Sequence, residues 1–163
     1  QIFMVMVALQ GTIAAAEESP EQVFARYVSA ASAGKTNAAA ACCLATNDAQ
    51  REAVSAQCQK EVPLIAAGEV TYEAVQSFVD GDCAVVAVLE LHAYSLCKSS
   101  WCRMVRVQDA WRMIAGYFKQ TDAQREAFQR LVHRIEPFEA ELDAKAKARD
   151  FELKDAWRRR GQN

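Results

Sequence analysis

Asp80-Gly81-Asp82, followed by residues 83–96 (CAVVAVLELHAYSL), is the stretch that decides the fold. Asp-Gly between two apolar runs is a hairpin signal, because glycine accepts the positive φ that a tight two-residue turn needs. The fourteen residues after it are rich in Val and Leu and contain no proline, so they read as a long strand. Before the turn, residues 70–79 are rich in Val, Tyr, Thr and Phe and read as its partner. A third run comes at Arg103–Val107, then a turn at Asp109-Ala110, then a fourth run from Trp111 to Phe118. Every connection is short, which requires antiparallel neighbours and therefore a meander.

Working outward, the residues before the sheet read as helices. Ser19-Pro20-Glu21-Gln22 is a helix start, with Ser19 as cap, proline at the first turn and Gln22 completing a capping box. Val23, Phe24, Tyr27, Val28 and Ala31 recur at helical spacing, and Gly34 closes the segment, predicting a helix over 20–33. A short alanine-rich helix is expected from Thr36 or Asn37 to about Leu44. Asn47 with Gln50 opens another, to about Lys60, and Pro63 and Gly68 punctuate the stretch between it and the first strand. Beyond the sheet, Thr121 with Gln124 is a further capping box, leading to a stripe of Phe128, Leu131, Val132 and Ile135. Pro137 is expected to interrupt it before a second, highly charged helix.

Residues 1–16 differ from the rest. The apolar run Ile2–Leu9, followed by Ala14-Ala15-Ala16, reads as the remnant of a signal peptide, so export to a periplasm or the exterior is expected, with no membrane-spanning segment in the mature chain. The organisation is thus a leader over 1–16, an α+β domain over 17–119 and a helical extension over 120–163. The whole chain has 163 residues, 52% hydrophobic and 25% charged, with a formal net charge of −2. These values suit one globular domain and exclude the basic surplus of a nucleic-acid binder. Arg158, Arg159 and Arg160 complement a helix C-terminus.

Six cysteines in an exported chain suggest disulfides. Cys97 and Cys102 flank Lys98–Trp101 between two strand-like runs and are expected to bridge a hairpin, contributing about 2 kcal/mol. Spacing leaves Cys42, Cys43, Cys58 and Cys83 unpaired on paper. On a helical hairpin turning near Asn47, Cys43 and Cys58 would be offset by too many ~1.5 Å rises to meet. No zinc spacing occurs, so neither metal nor cofactor is expected.

The phrases Ser19-Pro20-Glu21-Gln22-Val23-Phe24 leading to Ala33-Gly34-Lys35, Asp80-Gly81-Asp82-Cys83-Ala84-Val85-Val86-Ala87-Val88, and Arg106-Val107-Gln108-Asp109-Ala110-Trp111-Arg112-Met113-Ile114 resemble the NTF2-like (cystatin-like α+β roll) superfamily, in particular its small exported or lipoprotein members of unknown function. The resemblance covers residues 18–118 and leaves the helical tail without a counterpart. It implies helices packed on a curved four-stranded antiparallel sheet, often with a pocket between them, used for ligands, for catalysis or not at all.

Strand alternation sorts candidate residues by face. One face of the long strand carries Val85, Ala87, Leu89, Leu91 and Ala93, joined by Met104, Arg106, Trp111, Met113, Ala115 and Tyr117. As the more apolar face it is expected to pack on the first helix, making Tyr27, Arg106, Trp111 and Met113 the pocket candidates. The other face carries Val86, Val88, Glu90, His92 and Tyr94. Glu90, His92 and Tyr94 share that face, ~7 Å apart along the strand, and are the one cluster resembling acid–base equipment, although a polar face that is solvated or covered by a partner is the better explanation. His133 reads as a surface histidine. Trp101 reads either as an exposed contact residue or as cover for a sheet edge.

Three functions remain open at this level. One is a non-catalytic exported module binding a small apolar ligand or a protein partner. Another is an enzyme like the ketosteroid isomerases or polyketide cyclases. The third is an assembly component, such as a homodimer formed through the helical tail.

Overall fold

A computed structural model describes residues 17–93, 96–115 and 118–160, the side chains of Trp157, Arg158 and Arg160 excepted. The signal-peptide reading of residues 1–16 and the placements of Tyr94 and Tyr117 lie outside these residues.

The first helix, α1 (Pro20–Ser32), begins at the capping box read from the sequence. Ser19 Oγ accepts from the Gln22 amide at 3.3 Å, and Gln22 Oε1 accepts from the Ser19 amide at 2.7 Å. Gly34 ends it at φ 68°, with its own amide and that of Lys35 donating to the Ala31 and Ala30 carbonyls. Helix α2 (Thr36–Ala40) is shorter than expected, and the chain from Cys42 onward runs beside the sheet. Helix α3 (Asp48–Ala66) is longer. It passes through Pro63 and carries Glu61, Val62 and Ile65 on its last turns. Asn47 Oδ1 caps it by accepting from the Gln50 amide at 2.9 Å, whereas Gln50 turns back to the Thr46 amide and completes no box.

Strands β1 (Val70–Asp80), β2 (Cys83–His92), β3 (Leu96–Val107) and β4 (Ala110–Met113) form one antiparallel sheet in the order β1-β2-β3-β4. Gly81 makes the first turn at φ 58°, where Asp80 pairs with Cys83. The third turn falls on Gln108 and Asp109, both at positive φ (51° and 59°), one residue earlier than the sequence suggests. The second turn is the substantive difference. The chain reverses between His92 and Leu96, which pair with each other, and Lys98–Trp101 lies within β3. Nothing in Lys98-Ser99-Ser100-Trp101 demands positive φ, so those residues extend readily.

That shift overturns the expected disulfide. Cys97 and Cys102 occupy the same strand, where five steps span about 16 Å and place the side chains on opposite faces. Both are free thiols. It also regroups the faces. Ala84 pairs with Met104 and Val86 with Cys102, so Met104, Trp111 and Met113 share a face with Val86, Val88, Glu90 and His92. Val85, Ala87, Leu89 and Leu91 share the other with Val105.

Both faces are covered. Val23, Phe24, Tyr27 and Ala31 of α1, with Val54, Cys58, Val62 and Ile65 of α3, pack on Ala84, Val86, Val88, Met104 and Trp111. The opposite face packs under α4 (Asp122–Arg160), a single helix of 39 residues that runs through Pro137 where an interruption was expected. Phe128, Leu131 and Ile135 cover Cys83, Val85 and Val105, while Leu142 and Ala146 cover Ala87, Leu89 and Cys97. Polar ties fix the docking: Arg130 Nε donates to Asp80 Oδ2 (2.6 Å), Arg134 to the Val79 carbonyl (2.7 Å), and Ser99 to Asp143 (2.5 Å). The cover on this face therefore comes from the same chain. Continuity through Pro137 has a physical reason: the buried contacts on both sides of it outweigh the one backbone hydrogen bond that proline removes. Among the described residues, no helix is long and apolar enough to cross a membrane.

Candidate functional site

A cavity of about 240 Å³ lies between α1, α3, the segment after α2 and the helix-covered face of the sheet. Its wall is mixed, with Phe24, Val54, Val88 and Met113 on the apolar side and Gln57, Glu61 and Ser100 among its polar residues. Phe24 meets Tyr72 edge-on, with ring centroids 6.1 Å apart. Against this wall sits one polar knot. The Tyr27 hydroxyl donates to Glu61 Oε2 at 2.9 Å, and Gln57 Nε2 donates to Glu61 Oε1 at 3.0 Å. Tyr27 comes from the buried stripe of α1. Gln57 and Glu61 stand one turn apart on α3, so both oxygens of one carboxylate are held from two sides.

Electrostatics keep the surrounding groups neutral. Burial, then the charge of Glu61, pushes the Tyr27 hydroxyl far above its ordinary value. Tyr72 is pushed up to about 12 by burial and the carboxylates of Glu90 and Glu61. Three thiols, Cys43, Cys58 and Cys102, also line the cavity. Burial raises all three, Cys102 to about 12. The site thus offers neutral hydroxyl and thiol groups around a single carboxylate.

Of the pocket candidates, Tyr27 and Met113 line this cavity. Trp111 is buried in the core beyond it. Arg106 stands at the far end of the sheet, where Nε donates to Asp82 (2.9 Å), Nη1 donates to Glu17 (2.8 Å) and the guanidinium lies 5.6 Å from the Trp111 ring centroid. Arg106 does not line this cavity; two carboxylates hold it at the sheet end. Glu90 and His92 turn toward the α1 side, with 2.6 Å between Glu90 Oε1 and His92 Nε2. They sit past Tyr72, which pairs with Glu90 across β1 and β2, and both are partly exposed. Trp101 is neither exposed nor in a loop. It packs against Phe78 under α4. His133 is exposed beside Glu136. No cluster of three metal-ligating side chains occurs among the described residues.

Glu61, Gln57 and Tyr72 are the residues that sequence reading missed. The signal for Glu61 was present: Val54, Cys58, Val62 and Ile65 continue a helical stripe past Lys60, and Glu61 borders it. Ending the helix early at Pro63's approach concealed it. A second, larger space of about 430 Å³ runs between α4 and the other face of the sheet, lined by Val85, Phe128, Val132 and Ile135. It is a mainly apolar groove that Arg103, Gln120, Arg125, Gln129 and Glu139 also line.

Three helices on one face of an antiparallel meander, with a cavity between the layers, is the layout expected of an α+β roll. It agrees with the architecture that the resemblance read from the sequence implies. No family model matches the chain, and no curated protein matches it. Solved structures similar to this chain include a protein from Campylobacter jejuni described as an NTF2-like transpeptidase, at 19% identity and TM-score 0.47, covering 60% of this chain and 99% of that one. A Thiobacillus denitrificans protein described as a calcium/calmodulin-dependent protein kinase type II association domain is 20% identical with TM-score 0.45, covering 59% of this chain and 90% of that one. A SEC-C motif containing protein from Rhodopseudomonas palustris is 11% identical with TM-score 0.46, covering 64% and 81%.

Proposed function

We propose that this chain is an exported binding module that holds a compact, largely apolar ligand between α1, α3 and the sheet. The observation that carries the reading is the convergence of Tyr27 and Gln57 on the Glu61 carboxylate beside the apolar side chains of Phe24, Val54, Val88 and Met113. Apolar enclosure with a few fixed polar groups is what small-molecule sites are made of. The volume is below the ~300–1,000 Å³ of drug-sized sites, so the ligand is small. A carboxylate bonded once on each oxygen retains about two lone-pair sites, which suits a ligand bearing a hydroxyl or amine donor. The apolar run Ile2–Leu9 with Ala14–Ala16 supports export.

The test is a thermal-shift and calorimetric screen with compact apolar alcohols and amines, on the intact protein and on Glu61→Ala. Binding that weakens at least tenfold in Glu61→Ala is the expected result. Equal binding by both proteins, or no binding to any compound, overturns the reading.

The position of Glu61 also favours a second reading, an acid–base enzyme of the ketosteroid isomerase or polyketide cyclase kind. A carboxylate next to a tyrosine hydroxyl in a partly enclosed cavity is equipment for proton transfer at carbon. Exchange of ketone α-protons in heavy water, lost in Glu61→Gln, would support it. Exchange no faster than in buffer would remove it.

A further inference from the structure

We propose that Cys43 and Cys58 form a disulfide, a covalent modification site in the wall of the cavity. The two residues, both free thiols in the structure, belong to different elements, Cys43 after α2 and Cys58 in the middle of α3, yet they line the same space, near enough for each to affect the other's titration.

The backbone explains how they meet. A helical hairpin would offset them, but the chain around Cys43 is extended. Cys43 forms a parallel bridge with Met113, flanked by the Leu44 amide donating to the Met113 carbonyl (2.8 Å) and the Met113 amide donating to the Cys42 carbonyl (2.9 Å). Four extended steps from Cys43 to Asn47 cover about 13 Å, and eleven helical steps from Asn47 to Cys58 cover about 16 Å. The two arms are nearly equal, so the side chains return to the same level.

The alternatives are disposed differently. Cys42 points away, its sulfur accepting from Arg26 Nη1 at 3.3 Å and donating to the Ala38 carbonyl at 3.6 Å. Cys83 and Cys97 face α4 on the opposite side of the sheet. Cys102 reaches the cavity from β3 but bonds only to the carbonyl of its neighbour, at 3.9 Å. Cys43 and Cys58 are the two thiols that their chain arms bring level on one wall of the cavity.

The electron acceptor is a small-molecule disulfide. Two thiols and oxidised glutathione give the Cys43–Cys58 bond and two molecules of reduced glutathione, through a mixed disulfide. Burial holds both thiols protonated, so in the folded protein the exchange waits for local opening, and during folding it proceeds before burial is complete. The bond closes a loop of fourteen intervening residues and ties α3 to the strand-like segment beside β4.

Trypsin separates the partners, because Arg51 lies between them. Cys42 and Cys43 fall in peptide 36–51, Cys58 in 52–60 and Cys102 in 99–103. The protein is refolded with oxidised and reduced glutathione, alkylated and mapped without reduction. A cross-link between 36–51 and 52–60 that survives Cys42→Ser and disappears in Cys43→Ser is the expected result. It comes with a mass two hydrogens lower and a melting temperature roughly 5–10 °C above that of the reduced protein. A cross-link from 52–60 to 99–103, one that persists in Cys43→Ser, or complete alkylation of all six thiols overturns the proposal. None of these outcomes depends on whether a ligand binds.

Discussion

The Tyr27 hydroxyl and the Glu61 carboxylate, 2.9 Å apart, join α1 to α3 over the cavity and are its only direct polar link between those helices among the described hydrogen bonds. Tyr27 is 4% exposed, so its hydroxyl has no water in easy reach as a substitute, while Glu61 is half-buried.

Removing the hydroxyl should therefore be felt in stability. Tyr27→Phe keeps the ring and its packing on Phe24 but leaves one Glu61 oxygen without its donor, and a loss of about 1–2 kcal/mol is expected. Glu61→Gln should cost less, because an amide oxygen still accepts from Tyr27. Urea unfolding of the three proteins checks the order; a Tyr27→Phe protein as stable as the parent would show the bond to be idle.

Alkaline pH should weaken the fold. Tyr72 holds its proton to about 12 when folded, against an ordinary 10.0, and Cys102 to about 12 against 9.0. Between those values the unfolded chain has released protons that the folded chain retains, so stability falls as pH rises. It should be level below pH 9 and decline from there to about 12. Denaturant midpoints measured in reducing buffer from pH 8 to 11 test this. The decline should be shallower in Tyr72→Phe and Cys102→Ser, and an unchanged midpoint at pH 11 would contradict the assignment of these groups as buried and neutral.

On α4 two substitutions should move in opposite directions. Leu142 is fully buried against the sheet, so Leu142→Ala should cost about 2–5 kcal/mol. Pro137 is exposed within the same helix and leaves the His133 carbonyl without its helical donor. Pro137→Ala should therefore stabilise by about 1 kcal/mol or more. Thermal unfolding compares them, and destabilisation by Pro137→Ala would mean that the bend at proline is needed to lay both halves of α4 on the sheet.

Much of the fold was legible, and the exceptions share a cause. Ser19–Gln22 and Thr121–Gln124 announced their helices because capping is local chemistry. Asp80-Gly81-Asp82 announced its turn for the same reason. The turn after His92 carries neither glycine nor proline, and it was misplaced by several residues, which moved Cys97 and Cys102 onto one strand and inverted a face. Alternation gave no protection there, because β2 is apolar on both sides, from Cys83 to Leu89, and looks the same in either register. Both proline errors, at Pro63 and Pro137, came from letting a local rule end helices that tertiary packing continues. The cavity's carboxylate lay just beyond the first of them.

The two-sided burial of β2 carries a consequence for biosynthesis. Its seven leading residues form an uncharged, strand-prone sequence, and the helix that shields one side of them is made last, some forty residues later. Until that helix emerges, a growing chain displays the kind of sticky ribbon that nucleates aggregates. Folding in the cell is thus a race between synthesis of the tail and self-association, and chains halted near residue 119 should need a holding chaperone to stay dispersed.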